Sequence, residues 1–384
     1  MLRCGGVNGL PYFRVMRRIP FFSLDRQHRS INSELKEAFD RVIKNGRFIL
    51  DEEVKGFEDE FAAYQKMKYC VTVGNGHDAI LISLKALGIG DGDEVLVPSH
   101  TCHATWLAVM NARAKPVAVE VDSSTYNINP FLIENSITKK TKVILPVHLY
   151  GHPCAMDNIM AIAKKHKLFV VEDNAQAHGA MIKNKLTGSW GQCSATSFYP
   201  TKNLGALGDG GAIVTNDKET FLFARAFSNY GSEKKDIYSM LGVNSRFDEL
   251  QASLLRIKLR RLNQWNQERG RNANKYFDAL KNVGDIQLPP RESKTEKPVY
   301  HQYVIRTKYR DKLKKYLEQK GIETAIHYPT PIHFQKAYAH LGYRKGSLPV
   351  AEKLSNTVLS LPIFPELKES EINMISSSIK KFFN

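Results

Sequence analysis

The sequence has few cysteines and no long hydrophobic run. Its 384 residues include 5 cysteines, an odd number, which are widely spaced and contain no C-x-x-C pair. A disulfide framework and a structural zinc site are therefore not expected. A membrane-spanning helix needs about 18 or more consecutive apolar residues, and no such run occurs. We expect a protein of the reducing cytoplasm that has no membrane partner.

Acidic residues are also scarce relative to basic ones. The 55 Lys and Arg residues outnumber the 39 Asp and Glu residues, so the formal net charge is +16 at pH 7. Nucleic-acid binding is one explanation of this excess, although no recognised nucleic-acid-binding motif accompanies it. The cations of residues 256–275 and 308–320 are interleaved with apolar residues at helical spacing, which favours solvated helix faces. We expect no nucleic-acid partner, whereas a nucleotide diphosphate would be attracted by the same charge.

The length and composition indicate two globular domains. Hydrophobic residues make up 42% and charged residues 24% of the chain, close to the globular average. At about 100 to 200 residues per domain, we expect a large domain over residues 19–260 and a smaller C-terminal α+β domain over 261–384. Residues 1–18 are expected to be a disordered extension, because nothing in them builds a buried face.

Short apolar runs alternate with helical patterns from Tyr69 onward. The pattern predicts a strand over Tyr69–Val73, helices over 77–87 and Met156–His166, and further buried strands at 95–97, 117–121, 143–147 and 168–171. Such alternation requires crossover connections, so we expect an α/β fold with a mostly parallel central sheet covered by helices. Ligands of these sheets bind beyond the carboxyl ends of the strands. Residues that directly follow each apolar run are therefore candidate site residues.

One candidate is the turn Gly74-Asn75-Gly76-His77-Asp78-Ala79, which follows a strand and opens a helix. The free N–H groups of a helix N-terminus favour a phosphate. The same turn matches a dinucleotide-binding fingerprint, which requires an acidic residue at the end of the next strand. Here Asp93 and Glu94 precede that strand, which disfavours a nicotinamide enzyme. A phosphate cup is predicted, with a plain strand-to-helix turn as the alternative.

Two further candidates are Asp173 and Lys202. Asp173 follows a buried strand, where an unpaired carboxylate is costly, so it needs a cationic or proton-donating partner unless it only caps a helix. Lys202 lies in a turn whose glycines follow the lysine, which excludes a phosphate-binding P-loop. Burial would lower the pKa of such a lysine and make its amine nucleophilic, whereas an exposed turn lysine is the alternative.

These candidates together match the needs of one cofactor. A pyridoxal cofactor requires a lysine for its aldehyde, an acidic partner for its pyridinium nitrogen, and hydroxyl or backbone donors for its phosphate. Lys202, Asp173 and the 74–79 turn with Ser197 supply all three. The sequence therefore predicts a site for pyridoxal 5′-phosphate.

The chain resembles the DegT/DnrJ/EryC1/StrS sugar-nucleotide aminotransferases, which are pyridoxal-phosphate-dependent transferases of fold type I. The resemblance extends over about residues 19–365 and is specific, because several separated motifs occur in the same order. These motifs are Gly92-Asp93-Glu94-Val95, residues 146–151, Glu172-Asp173 with Gln176 and His178-Gly179, Ser197-Phe198 with Lys202-Asn203, residues 242–246, and His327-Tyr328-Pro329.

The resemblance implies a role for each matching residue. Lys202 is similar to the lysine that binds the cofactor aldehyde, and Asp173 to the partner of the pyridinium nitrogen. Asn244 resembles an asparagine that reaches the phosphate from a neighbouring subunit, which implies a homodimer with shared active sites. The remaining positions are Gly76 and Ser197 at the phosphate, Gln176 at the phenolic oxygen, and His327 and Tyr328 in the region of the sugar nucleotide.

Two cofactor-binding positions depart from the family pattern. His77 stands where the family usually has Thr or Ser, and Cys102 stands where an aromatic ring usually stacks on the pyridine. His100 or His103 could substitute as the flat partner; without one, we expect weaker retention of the cofactor. A Cys-His metal cluster is the other interpretation of this segment, but the remaining ligands at zinc spacing are missing, and no metal is expected.

The resemblance also implies an activity: transfer of an amino group from glutamate to a nucleotide-linked keto sugar. Family dehydratases have histidine in place of the lysine, so Lys202 implies transamination. Residues 203–211 are most similar to members that aminate carbon 3 of a dTDP-3-keto-6-deoxyhexose. Amination of carbon 4 in a UDP- or dTDP-4-keto sugar is the alternative. Such sugars enter the O-antigen of lipopolysaccharide or glycosides of secondary metabolism.

Overall fold

A computed structural model describes residues 18–234 and 236–384 of the chain. The extension expected over residues 1–18 lies, apart from Arg18, outside the described residues. The helices are α1 Leu24–Arg29, α2 Asn32–Asn45, α3 Glu52–Gln65, α4 Gly76–Ala86, α5 His103–Asn111, α6 Pro130–Ile133, α7 Met156–His166, α8 Lys218–Phe227, α9 Glu249–Leu259, α10 Leu262–Leu280, α11 Arg310–Gln319, α12 Pro349–Thr357 and α13 Glu369–Phe383.

The strands form one large sheet and several small ones. They are β1 Tyr69–Val73, β2 Glu94–Pro98, β3 Lys115–Val119, β4 Thr141–Ile144, β5 Phe169–Asp173, β6 Met181–Ile182, β7 Lys185–Leu186, β8 Cys193–Ser197, β9 Gly211–Thr215, β10 Ser232–Lys234, β11 Ile237–Tyr238, β12 Glu296–Lys297, β13 Tyr303–Arg306 and β14 Val358–Leu361. The large sheet has the order β1-β9-β8-β5-β4-β2-β3.

The large sheet is mostly parallel, as the sequence predicts. Strands β2, β3, β4, β5 and β8 pair in parallel, whereas β9 is antiparallel to both of its neighbours, β1 and β8. Two antiparallel pairings in succession leave β1 pointing in the same direction as β8. The carboxyl ends of β1, β8 and β5 therefore lie at one edge of the sheet.

The predicted strands and helices differ from the observed ones mainly at their ends. The strand over Tyr69–Val73 is confirmed residue for residue, and the helix predicted over 77–87 is α4. The strand predicted over 143–147 ends earlier, at Ile144, because Pro146 has no N–H to extend the ladder. Pairing resumes at Val147, which forms an isolated parallel bridge with Asp173.

The core consists of several apolar clusters. The largest is built from the strands of the sheet and from α4 and α5, with Trp106 fully buried. A second cluster joins Tyr276 of α10, Tyr303 of β13, Leu361 of β14 and Ile375 of α13. We propose that this second cluster is the core of the smaller domain expected over 261–384. In the described part of the chain, no helix has both the length and the apolar character needed to cross a membrane.

Candidate active site

Three predicted site residues lie at or just beyond the carboxyl ends of β5, β8 and β1, which share one edge of the sheet. Asp173 is the last residue of β5, Ser197 is the last residue of β8, and Gly76 lies three residues after the end of β1. Lys202 lies in the connection between β8 and β9, where its N–H donates to the Tyr199 carbonyl at 2.8 Å. The sheet order thus brings together residues that are far apart in the sequence.

Asp173 is buried, and two donors hold its carboxylate. Its Oδ1 accepts from the Ala175 N–H at 3.1 Å, and its Oδ2 accepts from the Thr105 hydroxyl at 3.0 Å. Burial raises the pKa of Asp173, although these hydrogen bonds and the Lys202 charge oppose the shift. A further cation or proton donor would stabilise the charged form. Sequence reasoning missed Thr105, a hydroxyl residue inside an apolar helix.

Lys202 lies within electrostatic range of Asp173 and Cys102. Desolvation lowers the pKa of the Lys202 ammonium, and the two neighbours oppose that shift. A lysine with a lowered pKa has more of its amine in the neutral, nucleophilic form. Lys202 is half-buried, which favours the desolvated lysine over the exposed turn lysine that the sequence left as an alternative.

Gly76 and Ser197 lie in direct contact at the N-terminus of α4. A Cβ atom placed on Gly76 would lie 2.6 Å from the Ser197 Cβ, so any side chain at position 76 would fill this space. The Asn75 side chain caps the helix by accepting from the Asp78 N–H at 2.9 Å. The first backbone N–H groups of α4 have no partner inside the helix. Together these groups leave an open helix N-terminus beside Ser197, an arrangement that suits a phosphate.

The His77 ring is turned to other partners. Its Nδ1 lies 2.9 Å from the Asp78 carboxylate, and its Nε2 lies 3.0 Å from the Asn111 amide. The ring thus links α4 to α5, and the His77 backbone N–H lies in the first turn of α4.

Ser245, which belongs to the 242–246 motif but was assigned no role from the sequence, supports the turn that leads into α4. Its hydroxyl accepts from the Gly74 N–H at 2.9 Å and donates to the Asp78 carboxylate at 2.7 Å. The preceding residue, Asn244, is exposed and forms a backbone bridge with Asn229. The structure therefore does not bury the Asn244 side chain in the subunit's own site.

Gln176 presents its amide nitrogen to the site. Its Oε1 accepts from the Tyr150 N–H at 2.7 Å, and a backbone N–H can only donate. The Gln176 Nε2 is therefore the free end of the amide, and it lies 3.3 Å from the Tyr328 hydroxyl. This orientation suits a phenolic oxygen as acceptor.

Cys102 has a tyrosine and two histidines near it. Its thiol lies beside the Tyr328 hydroxyl, and its side chain has intermediate exposure. His100 lies edge-on to the Tyr328 ring, at 6.1 Å, and bonds the Tyr150 hydroxyl at 2.9 Å. His103 is exposed and bonds the Tyr338 hydroxyl at 3.2 Å. Each histidine ring is thus held by a tyrosine.

His327 lies in the same region as Lys202. Burial and the Lys202 charge lower the pKa of His327 to about 4. Its Nδ1 bonds the Ser360 hydroxyl at 2.9 Å, and its carbonyl accepts a hydrogen bond from the Tyr150 hydroxyl. The structure therefore brings His327 and Tyr328 to the edge of the sheet where Asp173 and Lys202 lie.

The donor set of this edge fits pyridoxal 5′-phosphate. A buried carboxylate held by two neutral donors matches a pyridinium nitrogen, an oriented amide N–H matches a phenolate, and the glycine turn matches a phosphate. Among residues 18–234 and 236–384, no group of three or more His, Cys, Asp or Glu side chains is arranged to hold a metal ion.

Comparisons with known proteins agree with this geometry. A model of the DegT/DnrJ/EryC1/StrS aminotransferase family matches residues 29–380. A dTDP-3-amino-3,6-dideoxy-alpha-D-galactopyranose transaminase of Aneurinibacillus thermoaerophilus is 45% identical, over 95% of this chain and 99% of that protein. A dTDP-3-amino-3,4,6-trideoxy-alpha-D-glucose transaminase of Streptomyces venezuelae is 44% identical, over 95% of this chain and 96% of that protein.

A solved structure agrees as well. The crystal structure of the S. venezuelae protein DesV superposes with a TM-score of 0.94 and 43% identity, and the match covers 96% of this chain and 99% of DesV. The family match and these similarities extend over nearly the whole chain. The chain therefore belongs to the DegT/DnrJ/EryC1/StrS family and is a pyridoxal-phosphate-dependent aminotransferase of fold type I.

Proposed function

We propose that the protein transfers an amino group from glutamate to carbon 3 of a dTDP-3-keto-6-deoxyhexose. The observation that supports this most strongly is the placement of Lys202 and Asp173 at one sheet edge with the Gly76 cup. The two relatives named above, both transaminases of dTDP-3-amino sugars by name, support the choice of carbon 3. The net charge of +16 suits a substrate that contains a diphosphate.

Lys202 and Asp173 have the central chemical roles in this proposal. Bound pyridoxal phosphate would supply an electron sink for the α-carbon of the donor. Lys202 would bind the cofactor aldehyde and, once released, use its Nζ to move the proton of that α-carbon. Asp173, held by Ala175 and Thr105, would keep the pyridine nitrogen protonated.

The other predicted residues bind and orient in this proposal. Gly76, the His77 N–H and Ser197 hold the phosphate, and Gln176 donates to the phenolic oxygen. Cys102 lies where the family usually has a stacking ring, and it would border the cofactor without supplying that ring. His327 and Tyr328 border the space for the sugar nucleotide.

We propose a homodimer in which Asn244 completes the neighbouring site. The exposure of Asn244 in the single chain supports this, because its amide is accessible to a partner. The test mixes two inactive variants, Lys202→Ala and Asn244→Ala, under conditions of subunit exchange. Hybrid dimers with one intact site are expected to regain activity. If no mixture is active while each variant remains dimeric, Asn244 does not act across the interface.

The substrate assignment is tested with purified enzyme, glutamate and dTDP-3-keto-6-deoxyhexose. Nuclear magnetic resonance of the product should place nitrogen on carbon 3, and Lys202→Ala should give no product and no visible cofactor absorbance. Amination of a UDP- or dTDP-4-keto sugar at carbon 4 would establish the alternative. Absence of transfer to any nucleotide-linked ketose would contradict the substrate but not the cofactor.

The sequence also offered a nucleic-acid-binding alternative. A salt-sensitive affinity for DNA that persists in the Lys202→Ala variant would support it. Assignment to O-antigen or secondary-metabolite glycosides, and the cytoplasmic location, stay predictions.

A further inference from the structure

Asn203, the residue after Lys202, is buried and fixed by three hydrogen bonds. Its Nδ2 donates to the Val299 carbonyl at 3.0 Å and to the Asn266 Oδ1 at 2.9 Å. Its Oδ1 lies 3.1 Å from the Nδ1 of His301. All three partners come from α10 or from the chain just before β13, so Asn203 ties the lysine turn to the C-terminal part of the molecule.

The backbone carbonyls at both ends of this network determine the direction of each hydrogen bond. The Asn203 group that faces the Val299 carbonyl must be its NH₂, because a carbonyl can only accept. The Asn266 Nδ2 likewise donates to the His178 carbonyl at 2.8 Å, which leaves the Asn266 Oδ1 to accept from Asn203. The Asn203 Oδ1 therefore faces His301, and the His301 Nδ1 must be the donor.

His301 sits on an anchored backbone. The buried guanidinium of Arg269 donates to the carbonyls of Tyr300, at 3.2 Å, and Ile363, at 3.0 Å. Burial lowers the pKa of His301 well below its usual range, and the charges of Lys202 and Arg269 act in the same direction. His301 is therefore a neutral ring with its proton on Nδ1, which is the form that the network requires.

The lysine turn is held on its other side as well. The Lys258 ammonium donates to the Gly205 carbonyl at 2.7 Å, and a Cβ on Gly205 would lie 2.2 Å from the Pro200 carbonyl oxygen. Gly205 and Pro200 are therefore packed against each other across the turn. Because this side of the lysine turn is fixed, the hydrogen bonds of Asn203 determine the position of the turn relative to the C-terminal part of the molecule.

We propose that Asn203 and His301 are positioning residues that set where the Lys202 amine lies relative to Asp173. The proposal rests on the proposed role of Lys202. A displacement of about 1 Å at such an amine can cost about 100-fold in rate. The pair therefore matters for turnover although neither side chain need touch the substrate.

Four variants test the pair in the holoenzyme. His301→Leu removes the Nδ1 donor, and Asn203→Ala removes the acceptor. His301→Asn keeps an amide N–H where Nδ1 stands, so it is the conservative rescue. Asn263→Ala is the matched control, because Asn263 lies one turn before Asn266 on α10, is exposed, and bonds the Tyr64 hydroxyl at 2.8 Å.

The readouts are kcat, KM for glutamate, the pH midpoint of the visible cofactor band, and the thermal midpoint. We expect His301→Leu and Asn203→Ala to lower kcat by about 10- to 100-fold with little change in KM. Both should move the pH midpoint by about one unit, because the environment of the Lys202 nitrogen changes. His301→Asn and Asn263→Ala should stay close to the wild type.

Two results would overturn the proposal. If His301→Leu lowers only the thermal midpoint and leaves kcat and the pH midpoint unchanged, the pair is merely structural. If the wild type takes up no pyridoxal phosphate, the proposed role of Lys202 fails, and this proposal fails with it. The first result leaves the proposed function standing, so the two failures are distinguishable.

Discussion

At the scale of single residues, the chemistry of Asp173 follows from its neighbours. Burial makes the carboxylate costly, and the Ala175 N–H and Thr105 hydroxyl compensate only in part. Burial raises the pKa of Asp173, so an isolated negative charge is unfavourable at this position. The site is thus arranged for a positively charged ligand atom at this carboxylate.

We predict that Asp173→Asn abolishes most of the turnover without unfolding the protein. The amide cannot keep the pyridine nitrogen protonated, so kcat should fall by at least about 100-fold. The cofactor-free variant should be as stable as the wild type or more stable, because it no longer buries a charge. Kinetics and denaturant unfolding of both proteins check this. A Thr105→Val control should show a smaller loss, and full activity in Asp173→Asn would contradict the role.

A second residue-scale prediction concerns Cys102. Cys102→Phe should slow the loss of cofactor by about 2- to 10-fold, since an aromatic pair contributes about 0.5–1.5 kcal/mol. The measurement is the decay of visible absorbance during dialysis. Cys102→Ser, which changes the thiol but adds no ring, serves as the control. Equal decay rates for the Phe variant and the wild type would show that ring stacking is not the missing contact.

Lys202, Asp173 and Gly76 could be identified as candidate site residues from the sequence, because a lysine, an aspartate or a glycine next to a buried strand seldom has a purely structural role. It could not indicate Thr105 or His301. A threonine in a helix and a histidine between apolar residues are common, and their meaning depends on neighbours that only the fold supplies.

At the scale of secondary-structure elements, the strand-to-helix turn after β1 determines the cup. The turn is close to Ser197 at the end of β8 because β9 pairs with both strands. Glycine is needed at position 76 by this contact and not by a positive φ, since no positive φ occurs there. The sequence predicted the existence of these strands and helices well, because each apolar run is bounded by turn residues. The residue at which a strand ends was harder to predict, because it depends on single residues such as Pro146.

We predict that Gly76→Ala weakens cofactor binding by at least about 10-fold. The new methyl group would lie 2.6 Å from the Ser197 Cβ, so the cup must distort. Titration of the cofactor-free protein with pyridoxal phosphate measures the change.

The control is Gly270→Ala in α10, where a Cβ meets nothing within 4 Å. It should leave affinity unchanged and stabilise the protein by about 0.5–1 kcal/mol. Unchanged affinity in Gly76→Ala would contradict the cup.

At the scale of the whole molecule, several histidines are buried in the neutral form. Burial lowers the pKa of His100 to about 4 and that of His178 to about 3, as it does for His327. Composition alone could predict a globular protein, but it could not show that these histidines are enclosed. Their enclosure depends on elements that meet only in the folded chain.

We predict that stability falls as the pH falls from about 6.5 toward about 4. In that window the unfolded chain binds protons at these histidines and the folded chain does not, so each contributes a slope of up to about 1.4 kcal/mol per pH unit. The raised pKa values of two carboxyl groups, Asp173 and Glu366, act in the opposite direction. Denaturant midpoints measured across the window check the slope. His178→Gln should make it shallower, whereas a variant of the exposed His340 should not; a flat profile would contradict the prediction.

The pairing of β1 has a consequence for how the protein is made. Tyr69–Val73 pairs with Gly211–Thr215 and with no other strand of the large sheet. During synthesis on the ribosome, β1 therefore has no strand of this sheet to pair with until more than half of the chain has been translated. Contacts between segments that are far apart in the sequence form slowly, and an apolar strand that is still unpaired is prone to aggregate. Newly made chains should thus depend on chaperones until β9 emerges, and the cofactor cup cannot exist before that moment.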